Sequence, residues 1–185
     1  MPILAAETSL YPENLLLEST AQETTERFWW VVHTKPRQEK ALARQLCGYE
    51  IPFFLPLIPK ENLIRGKRVR SRLPLFSSYV FLFADEKERV RSLTTNRISY
   101  LLPVVDQGRL ERDLRQFNQL IAADAPLTVE SRLQPGQRVR IKTGSFQGME
   151  GTLLSRRGQS RLLVTVDYLL QGASVEIDDY QLEPL

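Results

Sequence analysis

The 185-residue chain holds one cysteine, Cys47, and one histidine, His33, and these two scarcities remove most enzymatic and metal chemistry. A lone cysteine cannot close an intramolecular disulfide, which fits a reducing compartment. One His and one Cys cannot supply a zinc tetrahedron without unusual carboxylate help. A catalytic triad would need His33 beside a nucleophile and an orienting carboxylate, and the sequence indicates no such pocket. His33 therefore reads as a packed strand residue and Cys47 as a small buried thiol. No apolar run approaches the roughly 20 residues of a membrane-spanning helix. No Lys or Arg precedes Arg27, so a secretory signal is not expected. The expectation is a monomeric, cytoplasmic, non-enzymatic protein with no cofactor, no metal and no membrane association.

Other enzyme signatures are equally thin. Asp178-Asp179 would point to opposite faces of a strand and read as a turn, not a catalytic pair. Lys142-Thr143-Gly144 echoes one box of the serine β-lactamases, but no Ser-x-x-Lys accompanies it. Gly144, Gly148 and Gly151 lack the Gly-Lys-Ser/Thr ending of a phosphate loop.

What the chain does have is ordinary globular composition, 42% hydrophobic and 25% charged, with its charge unevenly distributed. Residues 1–26 carry five acids and no Lys or Arg, whereas residues 27–122 set 18 basic residues against nine acids. The net charge of +3 thus conceals a basic middle block, as expected of a surface near polyanions.

Residues 1–26 read as a disordered tail around one apolar run, Leu15-Leu16-Leu17. Phe28 to His33 is aromatic and β-branched, hence a buried strand. Leu42 and Leu46 opposite Arg37, Lys40 and Arg44 predict an amphipathic helix that stops near Gly48. Phe53 to Ile58, broken by prolines, predicts strand near an edge. A basic hairpin follows, with Arg65, Lys67, Arg68, Arg70 and Arg72 placing five cations within eight residues. Leu75 to Phe83 predicts the strongest strand, with Tyr79, Phe81 and Phe83 on one face. Asp85 and Glu88 open a short helix to Leu93. Leu101 to Val105 predicts another strand, and Leu110, Leu114, Phe117 and Ile121 a second amphipathic helix. Residues 123–132 lack either period and read as a linker. Residues 133–185 hold short strands punctuated by glycine, suiting a small barrel. The fold class is α+β with a separate all-β domain: tail 1–26, α+β domain 27–122, linker 123–132, β domain 133–185.

Three ordered motifs resemble the NusG family of transcription elongation factors, including its specialised RfaH-like members. Trp29-Trp30-Val31-Val32-His33-Thr34-Lys35 is similar to the family's opening Trp-Tyr-Val-Val segment. Pro74 to Leu82 resembles its Phe-Phe-Pro-Gly-Tyr-Val signature. Leu133 to Ile141, followed by Gly144-Ser145-Phe146 and Gly148 to Gly151, is similar to the KOW motif. Ile64 to Arg68 looks closer to RfaH-like proteins than to the general factor.

The resemblance implies an NGN domain linked to an SH3-like KOW barrel, acting as an elongation or antitermination factor that suppresses pausing or termination. It implies that an apolar patch binds the clamp helices of bacterial RNA polymerase, with Phe76, Tyr79 and Phe81 at the matching positions. Lys35 matches a basic residue near the non-template DNA strand. Its neighbours Arg37 and Gln38, and Arg68 and Arg70 of the hairpin, are read with it as nucleic-acid-binding, facing that strand or the upstream duplex. Gln38 is singled out because its amide both donates and accepts. Phe146 matches a residue through which the barrel meets a ribosomal protein or the termination factor Rho. Two departures stand out. Ser77-Ser78 replaces the usual Pro-Gly or Pro-Asn before the tyrosine, and Arg91 to Asn96 lacks the His-Thr-Thr triplet with which RfaH meets the opposing polymerase lobe. The different-class alternative is a ribosome-associated or RNA-binding KOW protein with no polymerase contact.

Overall fold

A computed structural model describes residues 7–17, 26–64, 67–130, 136–156, 159–177 and 182–185. The chain divides into two compact units, Met1–Gly108 and Arg109–Leu185. The sequence pattern predicts the change of unit later, after residue 122.

The first unit is built on a five-stranded sheet ordered β1-β3-β6-β2-β7. Its strands are β1 (Leu10–Tyr11), β2 (Phe28–Thr34), β3 (Phe53–Phe54), β6 (Tyr79–Ala84) and β7 (Ile98–Pro103), all antiparallel to their neighbours. Strands β4 (Leu57–Ile64) and β5 (Lys67–Pro74) form a separate antiparallel hairpin. Period-2 alternation decides which side chain goes where. Val32, Val80, Leu82 and Ala84 lie in one buried cluster with Leu42, Ala43 and Leu46 of helix α1 (Glu39–Gly48). On the alternate positions, Trp29 opposes Phe83, Val31 opposes Phe81 and His33 opposes Tyr79. Because Val31, Val32, Val80 and Phe81 are all fully buried, the central strands are apolar on both faces.

Helix α2 (Glu86–Leu93) starts as expected: Asp85 accepts from the Glu88 amide at 2.8 Å, and Glu88 accepts from the Asp85 amide at 3.0 Å. This reciprocal box satisfies two donors the helix would otherwise leave open. Glu88 also takes a bidentate contact from Arg27, at 2.9 and 2.5 Å, which ties the helix start to the beginning of β2.

Three expectations need correction. Residues 7–17 of the tail are structured: Leu10 and Tyr11 pair with Phe54 and Phe53, and Leu15 and Leu16 are buried. A charge-poor apolar run beside an open strand gains more by packing than by staying in water, and composition alone hides this. That same pairing leaves β3 second from the edge of the sheet, between β1 and β6, near the edge as its prolines suggest. In the linker, Thr128–Glu130 forms strand β8, paired with Gly172 to Ser174. Leu75 to Ser78 is likewise a turn, so the strand expected from Leu75 begins at Tyr79.

The second unit contains most of helix α3 (Gln107–Ala122) and a six-stranded antiparallel sheet ordered β13-β9-β10-β11-β12-β8. Its strands are β8, β9 (Gln137–Ile141), β10 (Glu150–Arg156), β11 (Gln159–Val166), β12 (Gln171–Glu176) and β13 (Leu182–Pro184). Val139, Ile141, Val164, Val166 and Val175 are buried, as their alternation requires. Polar groups of α3 bond to this unit. Gln116 Oε1 accepts from the Glu150 amide at 2.7 Å, and Arg109 pairs with Asp167. Strand β8 is fastened by a small network. Ser174, fully buried, donates to Glu130 at 2.7 Å and accepts from Arg161 at 2.9 Å, while Arg161 also reaches Thr128. Asp178 and Asp179 lie outside the described residues.

Candidate docking face and nucleic-acid interface

Where β2, β6 and β7 meet at one end of the sheet, three rings come together. The β2 register sets His33 opposite Tyr79 on one side and Tyr100 on the other. The imidazole stacks flat on Tyr100, 4.5 Å between centroids and 2° apart, and meets Tyr79 edge-on at 5.0 Å. Burial, and then the neighbouring Tyr100 hydroxyl to which it is hydrogen-bonded, hold the Tyr79 phenol above its ordinary pKa. Tyr100 is 47% exposed, so this cluster reaches solvent.

Phe76 and Phe81 do not. Their exposures are 1% and 0%, so two of the three aromatics read as a docking patch are core residues. Phe81 lies two positions further along the strand than Tyr79, between Phe54 (6.4 Å, stacked) and Phe76 (6.1 Å, edge-on). Alternation correctly put Tyr79 and Phe81 on one face, but only the outermost member of that row is accessible. Tyr100 completes the surface cluster. The sequence reading missed it because it began the strand at Leu101, although the Ile98-Tyr100-Leu102 alternation was there to be seen.

The turn before Tyr79 explains the unusual Ser77-Ser78. Ser78 has φ of 66°, left-handed backbone that suits glycine or asparagine and costs another residue roughly 1–2 kcal/mol. It is held by two bonds: its amide donates to Glu39 Oε1 at 2.7 Å and its carbonyl accepts from the Thr34 amide at 2.8 Å. Ser78→Gly is expected to raise stability by about 0.5–1 kcal/mol, because those bonds survive and the side-chain strain goes. Thermal unfolding followed by circular dichroism checks this.

The basic residues after β2 form a corner. Arg37 (φ 59°) and Asn96 (φ 56°) are also left-handed, so three such residues surround the end of β2, a concentration of strain typical of functional loops. Lys35 Nζ donates to Asn96 at 2.8 Å, and the Lys35 amide donates to the Arg97 carbonyl. Arg97 also donates to Gln45 at 2.6 Å and to Gln38 Oε1. One lone pair of the Gln38 carbonyl is therefore occupied, and the side chain keeps its second lone pair and its amide N–H groups. Arg97, Asn96 and Gln45 were not read from sequence as part of this corner.

Arg68 and Arg70 stand elsewhere, on the hairpin. The register pairs Arg68 with Leu63, Arg70 with Glu61 and Arg72 with Pro59, so the three arginines share one face. All three are exposed, and Arg70 pairs with Glu61 at 2.8 Å. Arg65 and the turn glycine, Gly66, lie outside the described residues. In the second unit, Phe146 sits in the loop after β9 and lines an open cavity of about 330 Å³ with Ile141, Thr143, Glu176 and Ile177.

The first unit is thus an α+β unit with an aromatic surface cluster and a basic corner, and the second a small antiparallel unit. The family model described as "Transcription termination factor nusG" matches residues 27–128, more than half of the chain, and the chain belongs to the NusG family. It is similar to the transcription elongation factor SPT5 of Yarrowia lipolytica, 25% identical over 172 residues, which cover 92% of this chain and 16% of that protein. It is also similar to the transcription termination/antitermination protein NusG of Pasteurella multocida, 25% identical over 179 residues, which cover 88% of this chain and 97% of that protein. The chain thus spans about one-sixth of the SPT5 relative and nearly all of the NusG relative. Among solved structures, one titled "Domain interaction in Thermotoga maritima NusG" covers 86% of this chain and 97% of its own, with 16% identity and a TM-score of 0.48. The family match places the chain in a family of transcription elongation and termination factors. Among the described residues no helix is long and apolar enough to cross a membrane.

Proposed function

We propose that this chain is a non-enzymatic elongation and antitermination factor whose first unit docks on the clamp helices of bacterial RNA polymerase and suppresses pausing or termination. The observation that carries this reading is the surface cluster His33, Tyr79 and Tyr100, in a chain of the NusG family. Aromatic side chains dominate the binding energy of protein interfaces, and these are held rigid by stacking, so little conformational freedom is lost on docking. Phe76 and Phe81 support the face from beneath. Docking would favour the closed clamp and shift the population away from paused states.

Lys35, Arg37, Gln38, Arg68 and Arg70 are proposed to face phosphates of the non-template strand or upstream duplex. Contacts of this kind are weak and salt-dependent alone, and suffice once polymerase docking raises the effective concentration. Phe146 is proposed as the anchor through which the second unit meets a ribosomal protein or Rho.

The test is an assembled elongation complex. Tyr79→Ala combined with Tyr100→Ala should remove about 2 kcal/mol or more of polymerase affinity in pull-down, if these are interface hot spots. Photocrosslinking to the non-template strand should fall in a variant carrying Ala at Lys35, Arg37, Arg68 and Arg70. Unchanged pull-down, with binding to ribosomes retained, would favour the alternative of a ribosome-associated KOW protein.

A further inference from the structure

The acidic N-terminal segment has a place in the structure. Glu7 Oε1 accepts from Arg44 at 2.5 Å. Arg44 lies one turn along α1 from Lys40, on the helix's basic outer stripe, about 6 Å away along the axis. The segment reaches this helix because it is fastened to the sheet. The Ser9 carbonyl accepts from the Leu55 amide at 2.6 Å, Leu10 and Tyr11 pair with Phe54 and Phe53, and the Tyr11 ring stacks on Phe53. Leu15 and Leu16 then bury their side chains at 7% and 3% exposure.

From these contacts we infer that residues 7–17 are a built-in competitor for nucleic acid: the strand and the two leucines are the anchor, and Glu7 occupies Arg44 in place of a phosphate. The surface Arg44 and Lys40 define is thus a further phosphate-binding site, one that the chain itself covers. An exposed ion pair is worth little in isolation, typically about 0–1 kcal/mol, so free Glu-rich peptide would compete poorly. Anchoring changes this by making the contact intramolecular, with an effective concentration that a dissolved competitor does not reach. The segregation of charge fits the role: the first 26 residues carry five acids and no base, beside the most basic block of the chain. The partner is a polyanionic backbone, DNA or RNA, engaged when the segment lifts away. The inference rests on the nucleic-acid reading above and adds Arg44 and Lys40 to it.

The experiment measures binding of the full chain to a short DNA duplex across a salt series. Glu7→Gln frees Arg44 for one more phosphate. The log–log salt slope is then expected to steepen by roughly 0.9, and affinity at 0.1 M salt to rise about eightfold. Leu15→Ser with Leu16→Ser, which loosens the anchor without changing charge, is expected to raise affinity in the same direction. In an Arg44→Ala background, Glu7→Gln should have no effect, which separates release of Arg44 from a general gain of positive charge. Circular dichroism confirms folding of each variant. If wild type binds duplex but Glu7→Gln acts equally with and without Arg44, or the anchor variant binds like wild type, the competitor inference is overturned and the nucleic-acid reading stands. If wild type and Glu7→Gln both fail to bind duplex at low salt, both fall.

Discussion

Phe81→Ala is expected to cost about 3–5 kcal/mol of stability, the range for emptying a buried phenylalanine site. Phe81 is fully buried on the central strand β6, touching Phe54 and Phe76 and opposite Val31. None of these neighbours can follow the missing ring, because each is fixed by its own strand or turn, so the cavity persists. Tyr79→Ala, two residues away, is expected to leave the fold largely intact and to act on docking. The two substitutions thus separate residues that share a strand face. Chemical denaturation checks the first, and polymerase binding by the still-folded Tyr79 variant checks the second. Comparable stability of the two variants would show that Phe81 is not the core residue its burial implies.

The next largest effect is expected at Gly151. A Cβ there would lie 2.5 Å from the Leu163 carbonyl oxygen and 2.9 Å from Leu162 Cδ1. The first obstacle is backbone of the adjacent strand β11, which cannot rotate aside as a side-chain tip can. Relief requires β10 and β11 to separate where Thr152 pairs with Leu163. Gly151→Ala is therefore expected to destabilise the second unit by about 3 kcal/mol, the upper part of the usual range for overpacking. Gly172, whose Cβ would meet the Val164 carbonyl at 2.5 Å on the other side of β11, predicts the same direction. Exchange of the β11 amides with solvent reads the effect locally. Unchanged protection in both variants would contradict the close approach.

How much of the structure is legible in the sequence depends on the kind of physics involved. Period-2 alternation and apolar content located β2, β6 and the buried valines of the second unit, because those signals are local. The Asp85–Glu88 box and the stop near Gly48 were legible for the same reason. What was not legible depended on partners distant in sequence. Leu10 and Tyr11 are an undistinguished dipeptide until Phe53 and Phe54 offer them an edge. Val129 gives no strand signal by itself and becomes one opposite Ala173, with Glu130 bonded to Ser174. Burial along β6 was missed for a related reason: alternation assigns a face, whereas exposure depends on what covers that face. At the basic corner, Lys35 was named through the resemblance to the family, and Arg37 and Gln38 through their adjacency to it. Arg97, which fixes Gln38 through a contact 59 residues away, could not be. The Ser77-Ser78 substitution was visible, but its consequence, a serine in left-handed backbone braced by Glu39, required the fold.

The proposed function requires the face around His33, Tyr79 and Tyr100 to engage RNA polymerase and thereby suppress pausing. The most direct measurement is the dwell time of purified bacterial elongation complexes at a defined pause site, with and without the full chain. Wild type is predicted to shorten the pause, and the folded Tyr79→Ala, Tyr100→Ala double variant to leave it as it is without the protein. A pause unaffected by wild type, or shortened equally by the double variant, would contradict the claim.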